Sequence, residues 1–144
     1  MLGIWQGQYW FNNHKGLPEV LKNRKTNFNL EIIHFDNTKF SGIVQDDLET
    51  GGTPGIGTIT GAIEGNKISF VKKMPVKTVI FSNGESKILK GKHPYIYYSG
   101  TCNSTTQILT GNWKIKFGIH WIGIIPTLLF PINGEWVARK YLQK

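Results

Sequence analysis

The sequence predicts an all-β chain closed into an antiparallel up-and-down β-barrel of eight to ten strands, on three observations. Apolar and polar residues alternate with period two along most of the chain, and no window of about 11 to 18 residues holds a helical apolar stripe. Glycines sit inside the alternating segments, at Gly7, Gly42, Gly57, Gly61, Gly100 and Gly111, where a small barrel needs bends and bulges. Gly-x-Trp occurs three times, as Gly3-Ile4-Trp5, Gly111-Asn112-Trp113 and Gly134-Glu135-Trp136. Positions i and i+2 share one face of a strand, so each motif sets a position without a side chain beside the largest one. A long meander with one apolar face either packs as a two-layer sandwich or closes on itself. Closure removes the exposed edges and brings the first and last motifs onto adjoining strands.

The elements follow in order. Residues 3–12 alternate through Trp5 and Tyr9 as the first strand, and residues 13–25 break the pattern, with Pro18 placed to open one helical turn. In 27–35, Phe28, Leu30 and Ile32 oppose Asn29 and Glu31; Asp36-Asn37 then turns the chain into 39–46, which carries Phe40. In 56–63, Ile59, Gly61 and Ile63 oppose Thr58 and Thr60, and Gly65-Asn66 leads into 66–73, where Ile68 and Phe70 share a face with Lys72. Two weaker segments, 76–81 and 86–91, flank Asn83-Gly84, a strong hairpin dipeptide. Strands over 95–102, 107–117 and 133–142 complete the meander. Residues 118–132 remain as a connection punctuated by glycine and proline, and long connections on compact domains are often lids or binding loops.

A chain of 144 residues is expected to form one domain over 1–144 and to bury a core without staples, and the single Cys102 excludes an internal disulfide. The start shows no leader pattern and no apolar run long enough to cross a bilayer, so the chain reads as cytosolic or mature. The Asn103-Ser104-Thr105 match to a glycosylation acceptor then carries little weight. Seventeen Lys and Arg against nine Asp and Glu give a net charge of +8, a bias toward anionic partners. The cations are dispersed, however, and the densest patches are only Lys22, Arg24, Lys25 and Lys87, Lys90, Lys92. Tyr95, Tyr97 and Tyr98 near Lys92, and Trp113, Lys114, Lys116 and Phe117, interleave rings with charge as a base-stacking face does, but core packing explains the rings better and no nucleic acid is expected.

Little in the chain points to catalysis, a metal or a cofactor. Gly52 to Gly61 misses the phosphate-loop spacing and no helix follows it. Asp46, Asp47 and Glu49 are the one acidic cluster and could hold a metal or serve as general acid and base, with Asp46 or Asp47 the acids of a barrel enzyme, yet they adjoin Thr50-Gly51-Gly52, where turns usually place acids. His14, His34, His93 and His120 lack metal-ligand spacing, although a single axial histidine suffices for haem and His120, beside Trp121, is the candidate for that alternative.

With Gly3-x-Trp5 on the first strand, the meander, and Arg139 on the last strand, the chain resembles the calycin superfamily of lipocalins, fatty-acid-binding proteins and avidin-like barrels. Trp5-Gln6-Gly7-Gln8-Tyr9 and Gly65-Asn66-Lys67-Ile68-Ser69-Phe70-Val71-Lys72 are similar to bacterial lipocalin-like domains. The resemblance implies a Trp5 indole at the closed end of the barrel beneath Arg139 or Lys140, a sound cation–π arrangement.

The function expected is the binding of a small apolar or amphipathic molecule inside the barrel, without covalent chemistry. Trp5, Tyr9, Phe28, Leu30, Phe40, Ile59, Ile68, Phe70 and Trp113 would line or floor the site. Lys72 would hold an anionic head group, since a buried ammonium needs a counter-charge. The first and last strands are expected to pair antiparallel, with Trp5 and Trp136 toward opposite ends and Trp113 beside Trp5. The segment Phe117 to Ile132 carries ten large apolar residues and no formal charge. It is expected to be covered, as a lid over the mouth, as a homodimer interface, or as a peripheral membrane contact.

Overall fold

In a computed structural model the described residues are 1–12, 22–75, 77–80, 86–89, 95–115, 118–122, 125–129 and 132–142, with 77–80, 86–89, 118–122, 125–129 and Ile132 described by backbone alone. The strands among them are β1 (Gly3–Phe11), β2 (Lys25–Phe35), β3 (Lys39–Asp46), β4 (Ile56–Glu64), β5 (Lys67–Lys73), β6 (Lys77–Ile80), β7 (Ser86–Leu89), β8 (Ile96–Asn103), β9 (Ile108–Ile115), β10 (Gly118–Ile122), β11 (Ile125–Leu129) and β12 (Ile132–Lys140). Eight of them close a barrel in the order β1-β12-β9-β8-β5-β4-β3-β2, and each neighbouring pair is antiparallel. The seam closes as the sequence leads one to expect, with Gly7 facing Ala138 and Phe11 facing Gly134.

Two segments differ from the expectation. The weak segments 76–81 and 86–91 do hold strands, β6 and β7, but these pair with each other outside the barrel instead of adding to it. Residues 118–132, read as an irregular connection, hold β10 and β11 in a second two-stranded hairpin. Glycine and proline argued for a loop there, but Pro126 sits near the start of a two-stranded ribbon, where a missing N–H is tolerated. The turn after Pro18 and the Asn83-Gly84 dipeptide lie outside the described residues.

Period two sets the inward face. On β2 the buried residues are Thr26, Phe28, Leu30 and Ile32; on β3, Phe40, Val44 and Asp46; on β5, Ile68, Phe70 and Lys72. The two C-terminal Gly-x-Trp motifs meet in reciprocal register, Gly111 facing Trp136 and Gly134 facing Trp113. A β-carbon at 134 would land on the Trp10 carbonyl oxygen and the Trp113 indole, so glycine makes room for the ring across the ladder. Trp113 accordingly packs edge-on against Phe11 and Tyr9, with ring centroids 5.1 and 6.0 Å away, and not beside Trp5. The reason is directional: β9 runs parallel to β1 with β12 between them, so a tryptophan late in β9 joins the late residues of β1. Trp136 lies between the ends, packed on Tyr98 and Phe70.

The two ends of the barrel differ. At one, the chain reverses in tight polar turns: Asp36 Oδ1 accepts from the Thr38 and Lys39 amides, Gly65 adopts a φ of 60°, and Asn103 Oδ1 accepts from Thr105 and Thr106. Trp5 plugs this end. Its Nε1 donates to the Met1 carbonyl at 2.9 Å, and Lys140 Nζ lies 5.9 Å from the ring centroid, so of the two basic residues considered Lys140 covers the indole. From the opposite end, the mouth, spring the long intervals between β1 and β2, β3 and β4, β5 and β8, and β9 and β12. No helix among the described residues is long and apolar enough to cross a membrane.

Candidate binding site

Inward residues at the plugged end are closed off from solvent, Trp5, Leu109 and Ala138 being at most 1% exposed. At the mouth, Tyr9, Phe11 and Ile115 are only half-buried around the rim, above the buried Trp113. Beneath them lies a buried ion pair. Lys72 Nζ sits 2.6 Å from Asp46 Oδ1, with the two side chains 2% and 1% exposed.

Asp46 reaches this position by alternation. Phe40, Gly42, Val44 and Asp46 share one face of β3, which turns the last of them inward. The acidic cluster is thereby split: Asp46 enters the barrel, while Asp47 Oδ2 accepts from Thr50 Oγ1 in the 3-10 turn Leu48–Thr50 and Glu49 is exposed. The loop after this turn folds back over the carboxylate, the Thr53 amide donating to Asp46 Oδ2 at 3.2 Å. Gly52 permits that approach, because a β-carbon there would strike the Asp46 side chain. Tyr9 OH also donates to Asp46 Oδ2 at 3.2 Å, and Thr26 Oγ1 ties β2 to the loop through the Thr50 carbonyl. Asp46 thus accepts three hydrogen bonds, from β1, β5 and the loop.

Lys72 is less fully served. Asp46 is its one hydrogen-bond acceptor among the described residues, although an ammonium carries three N–H donors. Its Nζ lies over two rings, 5.0 Å from the Tyr9 centroid and 6.0 Å from that of Phe28. Burial holds the Lys72 pKa below its ordinary value, partly opposed by the Asp46 carboxylate. Burial, and then the Asp46 charge, drive the Tyr9 phenol above the usual range; Tyr98 is raised by burial, with smaller contributions from Tyr9 and Asp46. Arg24 is half-buried just before β2, and its Nε is buried without a hydrogen-bond partner among the described residues.

All ten residues expected to line the site face the interior. Tyr9, Phe28, Lys72 and Trp113 come together at the mouth, Tyr9 stacking on Phe28 at 6.1 Å. Phe40 and Phe70 pack edge-on in mid-barrel at 6.1 Å, with Ile59 buried nearby in the same core. Trp5 and Leu30, registered opposite each other, and Ile68, opposite Ile63, fill the plugged end and form a floor rather than a binding surface. Lys72 already has an internal counter-charge, the part that the sequence reading gave to a ligand.

Sequence reasoning brought Asp46 to the pocket only as an acid of the enzyme alternative, and Thr26 not at all. The signal was present: both continue the period of an apolar face, Asp46 after Val44 and Thr26 before Phe28. The aromatic and basic residues that interleave in sequence separate in space, Tyr98 and Trp113 pointing in while Lys114 is exposed. No group of three or more His, Cys, Asp or Glu among the described residues is arranged to hold a metal ion. The side chain of His120 lies outside the described residues.

Two grooves lined by described residues lie on the outer wall. A groove of about 650 Å³ runs over Thr60, Ser69, Val71, Tyr97, Ser99 and Asn112, and another of about 770 Å³ over Gln6, Gln8, Asn27, Asn29 and Gln45. Comparison with protein-family models, with characterised proteins and with solved structures finds no match to this chain.

Proposed function

We propose that this protein binds a small amphipathic molecule at the mouth of its barrel, the apolar part against Phe11, Trp113 and Ile115 and the polar end toward Tyr9, Asp46 and Lys72. The observation that carries this reading is the buried Lys72–Asp46 pair beneath the half-buried Tyr9, Phe11 and Ile115. A barrel needing only to be filled gains little from such a pair, because well-packed apolar side chains of similar volume are as stable or more so. Binding sites, in contrast, combine apolar walls with a few polar groups that orient the ligand. The Lys140–Trp5 contact at the plugged end supports a lipocalin-like member of the calycins, and a cytosolic location fits the unpaired Cys102.

The neutral fluorophore N-phenyl-1-naphthylamine tests the reading. It is expected to bind saturably at one site, and Phe11→Glu, which sets a charge on the half-buried rim, is expected to weaken binding tenfold or more while the far-ultraviolet spectrum is kept. Equal affinity in Phe11→Glu contradicts a mouth site.

A second reading rests on the β10–β11 hairpin, whose strands pair only with each other and belong to the most apolar segment of the chain. In that reading the hairpin is the contact surface of a homodimer or an anionic membrane. Ile124→Ser, Leu128→Ser and Leu129→Ser together separate the roles: monomers by light scattering indicate the dimer, weaker pelleting with anionic vesicles the membrane, and loss of fluorophore retention in an unchanged assembly a lid.

A further inference from the structure

We infer that Lys72 captures apolar aldehydes covalently, as an iminium ion paired with Asp46. The inference rests on the mouth reading above and names the ligand class that the pair selects.

The pair's charge balance comes first. Lys72 and Asp46 are the only buried ionisable side chains of opposite charge among the described residues, and together they are neutral. A carboxylate head group placed on Lys72 adds a negative charge beside Asp46 in a weakly polarisable interior, which is costly. A carbonyl adds none. Two Lys72 N–H groups lack an acceptor among the described residues, so a carbonyl oxygen that reaches Nζ meets a donor already in place.

The same geometry suits bond formation. Asp46 Oδ1, 2.6 Å from Nζ, takes one ammonium proton, and the freed nitrogen lone pair adds to the carbonyl carbon. The carbonyl π electrons move to oxygen, which is protonated from Asp46. The resulting carbinolamine loses a nitrogen proton through Asp46 to its hydroxyl, the C–O bond breaks, and water leaves. The sum is ammonium plus aldehyde giving iminium plus water, one positive charge on each side. The iminium therefore inherits the ammonium's place opposite Asp46, and no oxidant or reductant is consumed. Burial lowers the Lys72 pKa against the raising effect of Asp46, and the charged or titratable groups around the pair are Tyr9, Tyr98 and, at the mouth, Arg24.

The test uses the full-length protein with equimolar decanal and cyanoborohydride, followed by intact-mass measurement and peptide mapping. The expected product carries one decyl group on Lys72, is absent in Lys72→Arg, and forms at least tenfold more slowly in Asp46→Asn. Adducts confined to the Met1 amine or exposed lysines, or an unchanged yield in Lys72→Arg, overturn the inference; if a variant does not fold, the map of the parent protein decides. Displacement of N-phenyl-1-naphthylamine by decanol separates the two claims. Displacement without a Lys72 adduct removes the aldehyde inference and leaves the mouth reading standing, whereas failure of the fluorophore and decanol to bind removes the mouth reading itself.

Discussion

Lys72 Nζ and Asp46 Oδ1 meet at 2.6 Å inside the barrel, from strands that are not neighbours in the sheet. The contact spans β4 and joins a cation on β5 to an acid on β3, with Tyr9 of β1 donating to the same carboxylate and lying under the ammonium.

Removing one partner strands the other in the core. Lys72→Met is expected to destabilise the fold by about 3–5 kcal/mol, whereas Lys72→Met with Asp46→Leu is expected to return it to within about 1 kcal/mol of the parent or above it. Urea unfolding followed by tryptophan fluorescence measures both. A double variant as unstable as the single one contradicts the pairing.

Alkaline pH should unfold the protein through its buried phenols. Tyr9 and Tyr98 are raised above the ordinary phenol pKa of 10.0 in the folded state, whereas in the unfolded chain they ionise near it. The folded state then binds more protons above pH 10, so their contribution is fully present below that value and is lost as pH rises toward the folded pKa. Absorbance at about 295 nm should register at most three of the five tyrosines ionising before the fold is lost, and more than three in the folded protein contradicts the inward placement of the Tyr9 and Tyr98 hydroxyls.

Gly134→Ala tests the reciprocal Gly-x-Trp register. The new methyl meets the Trp10 carbonyl and the Trp113 indole, whose Nε1 donates to Trp10 O at 3.1 Å and Glu135 O at 3.2 Å. A loss of about 1–3 kcal/mol is expected from this overpacking, with red-shifted tryptophan emission as the ring is displaced. Stability equal to the parent contradicts the register.

Much of the barrel is legible in the sequence because alternation is a local signal. Phe28, Leu30 and Ile32 announce an inward face without knowledge of any neighbour, and Lys72 falls on the face of Ile68 and Phe70 for the same reason. Pairing across the barrel is not local. That Asp46, two strands away, supplies the counter-charge of Lys72 follows from curvature and register, which no short window contains. The position of Trp113 depended likewise on the direction of β9 relative to β1. The β10–β11 hairpin escaped because its composition, with Pro126 and Gly123, reads as a break in a strand rather than as a short ribbon.

The site itself is tested most directly by mapping ligand-induced shifts in two-dimensional amide spectra during titration with decanol. Saturable shifts are expected around the mouth at Tyr9, Phe11, Thr53, Ile115 and Ile96, which is registered opposite Lys72 and Ile115, with little change at Leu30, Ile68 and Leu109 in the plugged end. Shifts confined to the outer groove around Ser69, Ser99 and Asn112, or no shifts at saturating decanol, would contradict a mouth site.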